Sequence, residues 1–312
     1  MRFFVFTISW LLAVGLSADD SRQMLIVVGE PGDGEYAVEF TRQAEAWQEI
    51  ARKAEMRINV VGLDTALVDG DLQKLKAAFE EIPVHGDDFW IIWIGHGSFD
   101  GRNAYFNLRG KDIGPAEMAT WIAPFERRII LLKLFSASAP FIGPLSADNR
   151  VLLSAGRSPG ERNYTRFGEK LADALNNPSA DLDLDESLSL LEASLYATAA
   201  TRAFYDDAQR VLQEHAVIDD NGDGRATSLE TFEGLTAPQP YADAPSADGL
   251  QARDIYFLKN TRDPLGPEAQ VERARLERAI NRLRARKSEM SEDSFYKELE
   301  ILMRAMAKLY GN

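Results

Sequence analysis

Two sets of side chains in this sequence have the types and spacing that chemistry requires. The first is a pair. His96 stands just past the apolar run of residues 91–94, and Ser136 stands just past the apolar run of residues 129–135. An imidazole in hydrogen-bond contact with a hydroxyl is a general base beside a nucleophile. The second set is two aspartate-rich stretches. In DDNGDGRATSLE, residues 219–230, Asp219, Asn221 and Asp223 fall at the first, third and fifth positions of a twelve-residue loop, and Gly224 falls at its sharp turn. Arg225 stands where only a backbone carbonyl is used, Thr227 where a water is held, and Glu230 where a carboxylate closes the shell with both oxygens. That donor order suits a hard cation, Ca2+ above all. In DLDLDESLSLLE, residues 181–192, Asp181, Asp183, Asp185, the Ser187 carbonyl and Glu192 repeat the order, but Glu186 replaces the turn glycine. The turn calls for positive φ, which costs a non-glycine residue roughly 1 kcal/mol or more. The plainer alternative for either stretch is an Asx-rich turn leading into a helix.

These groups need elements to hold them. Apolar runs at residues 24–29, 58–62, 89–94, 129–135 and 151–155 read as strands, and the stretches between them read mostly as helices. Residues 36–55 are expected to be helical with Val38, Ala44, Trp47 and Ile50 inward, and residues 71–82 with Leu72, Leu75, Ala78 and Phe79 inward. Strands that are apolar throughout and alternate with helices imply a mostly parallel sheet covered on both faces. Right-handed crossovers then put His96 and Ser136 on one rim, beyond the carboxyl ends of the strands, where α/β sheets carry their crevices. A single helix over residues 193–218 would hold the two aspartate loops roughly 40 Å apart, as isolated sites. Residues 236–266 read as a linker, and residues 267–312 as an αα-hairpin with a stripe of Phe295, Leu299, Leu302, Met306 and Leu309. That stripe must be covered by the main domain, a second subunit or a partner.

GHGSFDG and FSASAPF, with the following strand and helix, resemble the His-Gly and Cys-x-Ser-Gly segments of the caspase- and legumain-like cysteine peptidases over residues 24–175. The resemblance is nearer to legumain-like sequences than to caspases, and points to an exported bacterial branch. The resemblance implies that His96 is the base, that Ser136 stands at the nucleophile position, and that the Gly97 and Ser136 N–H groups form an oxyanion hole. The chain departs from the family pattern: it has no cysteine, Ala139 replaces the motif glycine, and Leu134 and Phe135 precede the nucleophile position. A serine hydroxyl is far less acidic than a thiol and needs a tightly oriented base. Asp100 and Asp112 are near His96 in sequence, but neither is marked as its partner. A strand-end histidine bonded to backbone, and loop serines at 136 and 138, are the structural alternatives.

The 312 residues carry a formal charge of -14, which disfavours nucleic acid as a partner. Residues 1–18 have the form of a secretory signal peptide, and no later segment is apolar enough to span a membrane. The expected organisation is therefore a signal peptide at 1–18, a caspase/legumain-like α/β domain at 19–178, a helical segment with two EF-hand-type loops at 179–235, the linker and the hairpin. The expected role is peptide or protein binding outside the cytoplasm by a degenerate, calcium-stabilised peptidase domain. Two other roles stay open. One is a hydrolase using Ser136 and His96, and the other is a calcium-stabilised structural adaptor.

Overall fold

The computed structural model describes residues 21–64, 70–258, 266–287 and 290–310; the expected signal peptide lies outside them. Eleven strands and nine α-helices are described. In chain order they are β1 Gln23–Val28, α1 Gly34–Lys53, β2 Arg57–Val61, α2 Asp71–Glu81, β3 Phe89–Ile94, β4 Gly97–Phe99, β5 Ala104–Phe106, α3 Pro115–Ile122, β6 Ile129–Leu134, α4 Ile142–Leu145, β7 Arg150–Ser154, α5 Phe167–Ala174, β8 Leu188–Ser189, α6 Leu190–Asp207, β9 Val217–Asp219, β10 Thr227–Ser228, α7 Leu250–Arg253, β11 Tyr256–Leu258, α8 Pro267–Ala285 and α9 Glu292–Leu309.

Seven strands form one sheet in the order β10-β9-β7-β6-β3-β1-β2. The five strands from β7 to β2 run parallel, and β9 and β10 each pair antiparallel. The fold is α/β, with a mostly parallel sheet between two helical layers. β3 (FWIIWI) is buried along its whole length. Its alternate residues Trp90, Ile92 and Ile94 meet α1, α5 and α6, while Phe89, Ile91 and Trp93 meet α2, α3 and α4. A strand sandwiched in this way gains from apolar side chains on both faces, so it reads as a continuous run.

α1 begins where the Asp33 carboxylate accepts the Glu35 N–H at 3.1 Å, which satisfies one of the unpaired donors of a helix start. Its buried face is Phe40, Ala44, Trp47, Ile50 and Ala51. Val38 is exposed, not inward as expected; Phe40 takes that place, because it is in phase with Ala44, Trp47 and Ala51 at 3.6 residues per turn. α2 buries Leu72, Leu75, Ala78 and Phe79.

The sheet does not stop at residue 178. Its last two strands come from the segment expected to be helical, because α6 ends at Asp207. Gln209 turns left-handed (φ 52°), and Arg210 N–H closes back onto the Tyr205 carbonyl at 2.9 Å. The supposed single helix over 193–218 is thus an 18-residue helix, about 27 Å long, followed by an extended return into β9. The expected linker also holds structure: α7 lies in it, and β11 pairs with β8. No helix among the described residues is long and apolar enough to cross a membrane.

Candidate functional site

β1 lies between β2 and β3, so the chain leaves β1 to one side and later returns on the other. The gap beyond the carboxyl ends of β1 and β3 is the crevice of such a sheet. His96 sits there, two residues past β3, and continues the alternation that points Trp90, Ile92 and Ile94 toward α1. Its ring is packed edge-on to Tyr36 (centroids 4.6 Å apart), Phe40 (5.2 Å) and Tyr164 (5.7 Å). Burial lowers the imidazole pKa, and a hydrogen bond with the Pro31 backbone opposes that shift. Among the described residues no carboxylate is bonded to the ring. Asp100 accepts the Arg102 and Asn103 N–H groups of its own turn, and Asp112 accepts Leu108 N–H. The ring is held by aromatic packing and one backbone bond.

Pairing of Ile94 with Leu134 sets His96 and Ser136 level with each other on adjacent strands. The two are brought to one rim, yet they are not joined. The Ser136 hydroxyl donates to the Gly97 carbonyl at 3.0 Å and accepts the Gly97 N–H at 3.1 Å. Ser136 is 1% exposed. A hydroxyl has one proton, and here a backbone carbonyl takes it. The Gly97 N–H, expected in an oxyanion hole, is turned inward to the same hydroxyl. Gly97 is glycine for a steric reason: a Cβ there would lie 2.0 Å from the Ser136 carbonyl oxygen and 2.6 Å from the Phe135 ring. Beyond it, Ala137 adopts φ 55° and its N–H bonds the Glu161 carbonyl at 2.8 Å, while Ser138 Oγ bonds Ser154 Oγ at 2.7 Å in full burial.

The first aspartate loop is the tight connection from β9 to β10. Gly222 (φ 78°) and Gly224 (φ 74°) supply the left-handed residues at its fourth and sixth positions. Asp219 Oδ1 accepts Gly222 N–H at 3.2 Å. Its Oδ2 is buried without a partner, in a residue 1% exposed. Asn221 Oδ1 accepts Asp223 N–H, and Asp223 accepts Arg225 N–H and pairs with the Arg225 guanidinium at 3.1 Å. Glu230 turns to α6, where Arg202 binds it at 2.8 Å. The loop is clasped from behind by residues that sequence reasoning missed. Asp220 accepts Gly249 and Ala252 N–H at the start of α7, and Asp248 accepts Asp220 N–H and the Thr227 hydroxyl. Burial pushes Asp220 up to about 6 and Asp248 up to about 7. The available signal was the doubled aspartate at 219–220.

In the second loop, oxygens of Asp181, Asp183 and Asp185 lie within 4.8 Å of one another. Leu184 (φ 57°) and Glu186 (φ 62°) take the left-handed conformations that glycines take in the first loop. Glu186 thus makes the turn at a conformational cost. Ser187 N–H bonds Asp185, and Arg273 of α8 stands 3.4 Å from the same carboxylate. Glu192 closes the loop, bonding Leu182 and Asp183 N–H with one oxygen and capping α6 at Ser189 with the other. Burial, then Glu192 and Asp185, push Asp183 up to about 6. In the second loop three carboxylates gather and fit a hard cation, whereas Asp223 and Glu230 of the first are turned to Arg225 and Arg202.

Two further groups were missed. Lys133 is 0% exposed, its ammonium has no hydrogen-bond partner, and burial lowers its pKa to about 7 against the attraction of Asp219. The register puts Lys133, Ser154 and Asp219 on one face of the sheet. A lone lysine inside an apolar run was the signal. His215 bonds Glu161 through Nδ1 at 2.9 Å and ties the loop after β7 to the entry of β9.

No protein-family model matches the chain, and no curated protein matches it significantly. Among solved structures the chain is similar to the Drosophila initiator caspase Dronc, at 13% identity over 67% of this chain and 82% of that one, with a TM-score of 0.46. It is also similar to the protein GSU0716 from Geobacter sulfurreducens, at 12% identity over 58% of this chain and 89% of that one, with a TM-score of 0.41. Caspase-1 from Spodoptera frugiperda is similar at 10% identity over 64% of this chain and 86% of that one, with a TM-score of 0.41. At these identities and scores the likeness says nothing of activity.

Proposed function

We propose that this chain is a non-catalytic caspase/legumain-like domain that binds a peptide or protein ligand outside the cytoplasm and carries calcium in its aspartate loops. The observation that carries the first half is the Ser136 hydroxyl, whose donor and acceptor capacity is spent on the Gly97 peptide. A nucleophile needs that proton on a base and needs the oxyanion donors aimed outward. The ligand site is the crevice beside β1 and β3, where Tyr36, Tyr164 and His96 are half-buried. Calcium is supported by the donor order, by the shared left-handed residues at the fourth and sixth positions, and by the unpartnered Asp219 Oδ2.

The test is incubation of mature protein with a diverse peptide library, with and without calcium, beside the Ser136→Cys and Tyr36→Ala variants. Retention of peptides without cleavage by the unsubstituted protein, and weaker retention by Tyr36→Ala, is the expected result. Cleavage by the unsubstituted protein that is lost in His96→Ala overturns it in favour of a serine hydrolase. A large calcium effect on melting with no retained peptide favours the structural adaptor.

A further inference from the structure

We propose that α9 is a self-association surface on which two copies of this chain pair antiparallel about a two-fold axis, forming a four-helix bundle from two αα-hairpins. α9 packs mainly on α8. Of its stripe only Phe295 is buried; Leu299, Leu302, Met306 and Leu309 remain half-exposed. Beside them Ile301 is 61% and Met303 is 53% exposed. A groove of ≈ 400 Å³ opens between the helices, with Ala279, Leu283, Ile301 and Leu302 in its wall and Arg282 and Glu298 at its rim. A helix of a second hairpin fits such a groove by ridges into grooves.

Charge identifies the occupant as a second copy. The first half of α9 carries Glu292, Asp293, Glu298 and Glu300, with Lys297 the one exception, and the second half carries Arg304 and Lys308. A helix that is acidic at one end and basic at the other complements itself when two copies run antiparallel, and a two-fold axis near Ile301 and Leu302 does that. Among the described residues Glu300 pairs with Arg304, 2.7 Å away and largely in solvent, so little is lost on repairing it across the interface. The hairpin is also where two copies of a chain with charge -14 can approach. Residues 267–312 hold ten basic and eight acidic side chains, so the excess of negative charge lies wholly in the rest of the chain.

Sedimentation equilibrium of the full mature chain tests this. The expected mass is twice that of one chain. Ile301→Glu, at a solvent-facing position, should give a monomer with an unchanged circular dichroism spectrum and melting temperature of the α/β body. Glu300→Lys and Arg304→Glu should each weaken association several-fold, and the double exchange should restore it. A monomeric unsubstituted chain overturns the proposal. So does a dimer untouched by Ile301→Glu, or a monomer that binds anionic phosphatidylserine vesicles through the arginines of α8.

Discussion

The Ser136 hydroxyl and the Gly97 peptide hold each other in a closed two-bond clasp, 3.1 and 3.0 Å long, immediately beside His96. The group expected to attack is the group that locks the strand end. Ser136→Ala should therefore cost stability, about 1–3 kcal/mol in a urea titration, because a buried N–H and a buried carbonyl lose their partner together, with no accompanying loss of any hydrolytic rate. Ser136→Cys would introduce the only thiol of a cysteine-free chain. It should react with a disulfide reagent slowly in the native state and fast in urea. Rapid native labelling would mean that the clasp is open in solution.

Calcium should raise the melting temperature, and Asp223→Ala and Asp183→Ala should each remove part of that rise. At a free calcium concentration about a hundredfold above Kd, one site adds about 2.7 kcal/mol to the folded state. Calorimetric titration should resolve two independent sites. Steep cooperativity would instead mean that the loops are coupled through α7, whose Ala252 N–H bonds Asp220 and whose Arg253 acts on Asp183.

The two loops predict opposite outcomes for opposite exchanges. Gly224→Ala forces a Cβ into φ 74°, and Glu186→Gly removes one from φ 62°. The first should destabilise by about 1 kcal/mol, and the second should stabilise by up to about that amount while tightening calcium at the second loop. Chemical denaturation in the presence of a chelator separates the backbone effect from the metal.

Lys133 sets a pH dependence with a definite sign. Its pKa falls from 10.5 in the open chain to about 7 in the fold through burial. Between those values the unfolded chain holds a proton that the folded chain lacks, so stability rises with pH across that window, and below about 7 the full burden remains. That burden is on the order of 5 kcal/mol. Lys133→Met should thus be more stable than the unsubstituted chain at pH 6 to 7 in calcium-free buffer, with the gap closing toward pH 10. A gap constant with pH would show that the ammonium keeps its charge in the fold.

The layers of the fold and the places where the chain turns follow from residue order alone. Runs such as FWIIWI are apolar at every position, and only a strand covered on both faces uses that pattern. The same holds for the loop glycines at 222 and 224, since their left-handed conformations are local. Which atoms then meet was decided by tertiary structure. His96 and Ser136 reach one rim through strand register, as the topology required, yet the serine turns to Gly97 because the peptide after β3 passes close enough to exclude a Cβ. The ends of α6, the Asp248 clasp behind the first loop, and the burial of Lys133 near Asp219 depend on neighbours distant in the chain. Hydrophobic periodicity is set by neighbours a few residues away, whereas hydrogen-bond choice and charge burial are set by whatever the fold brings alongside.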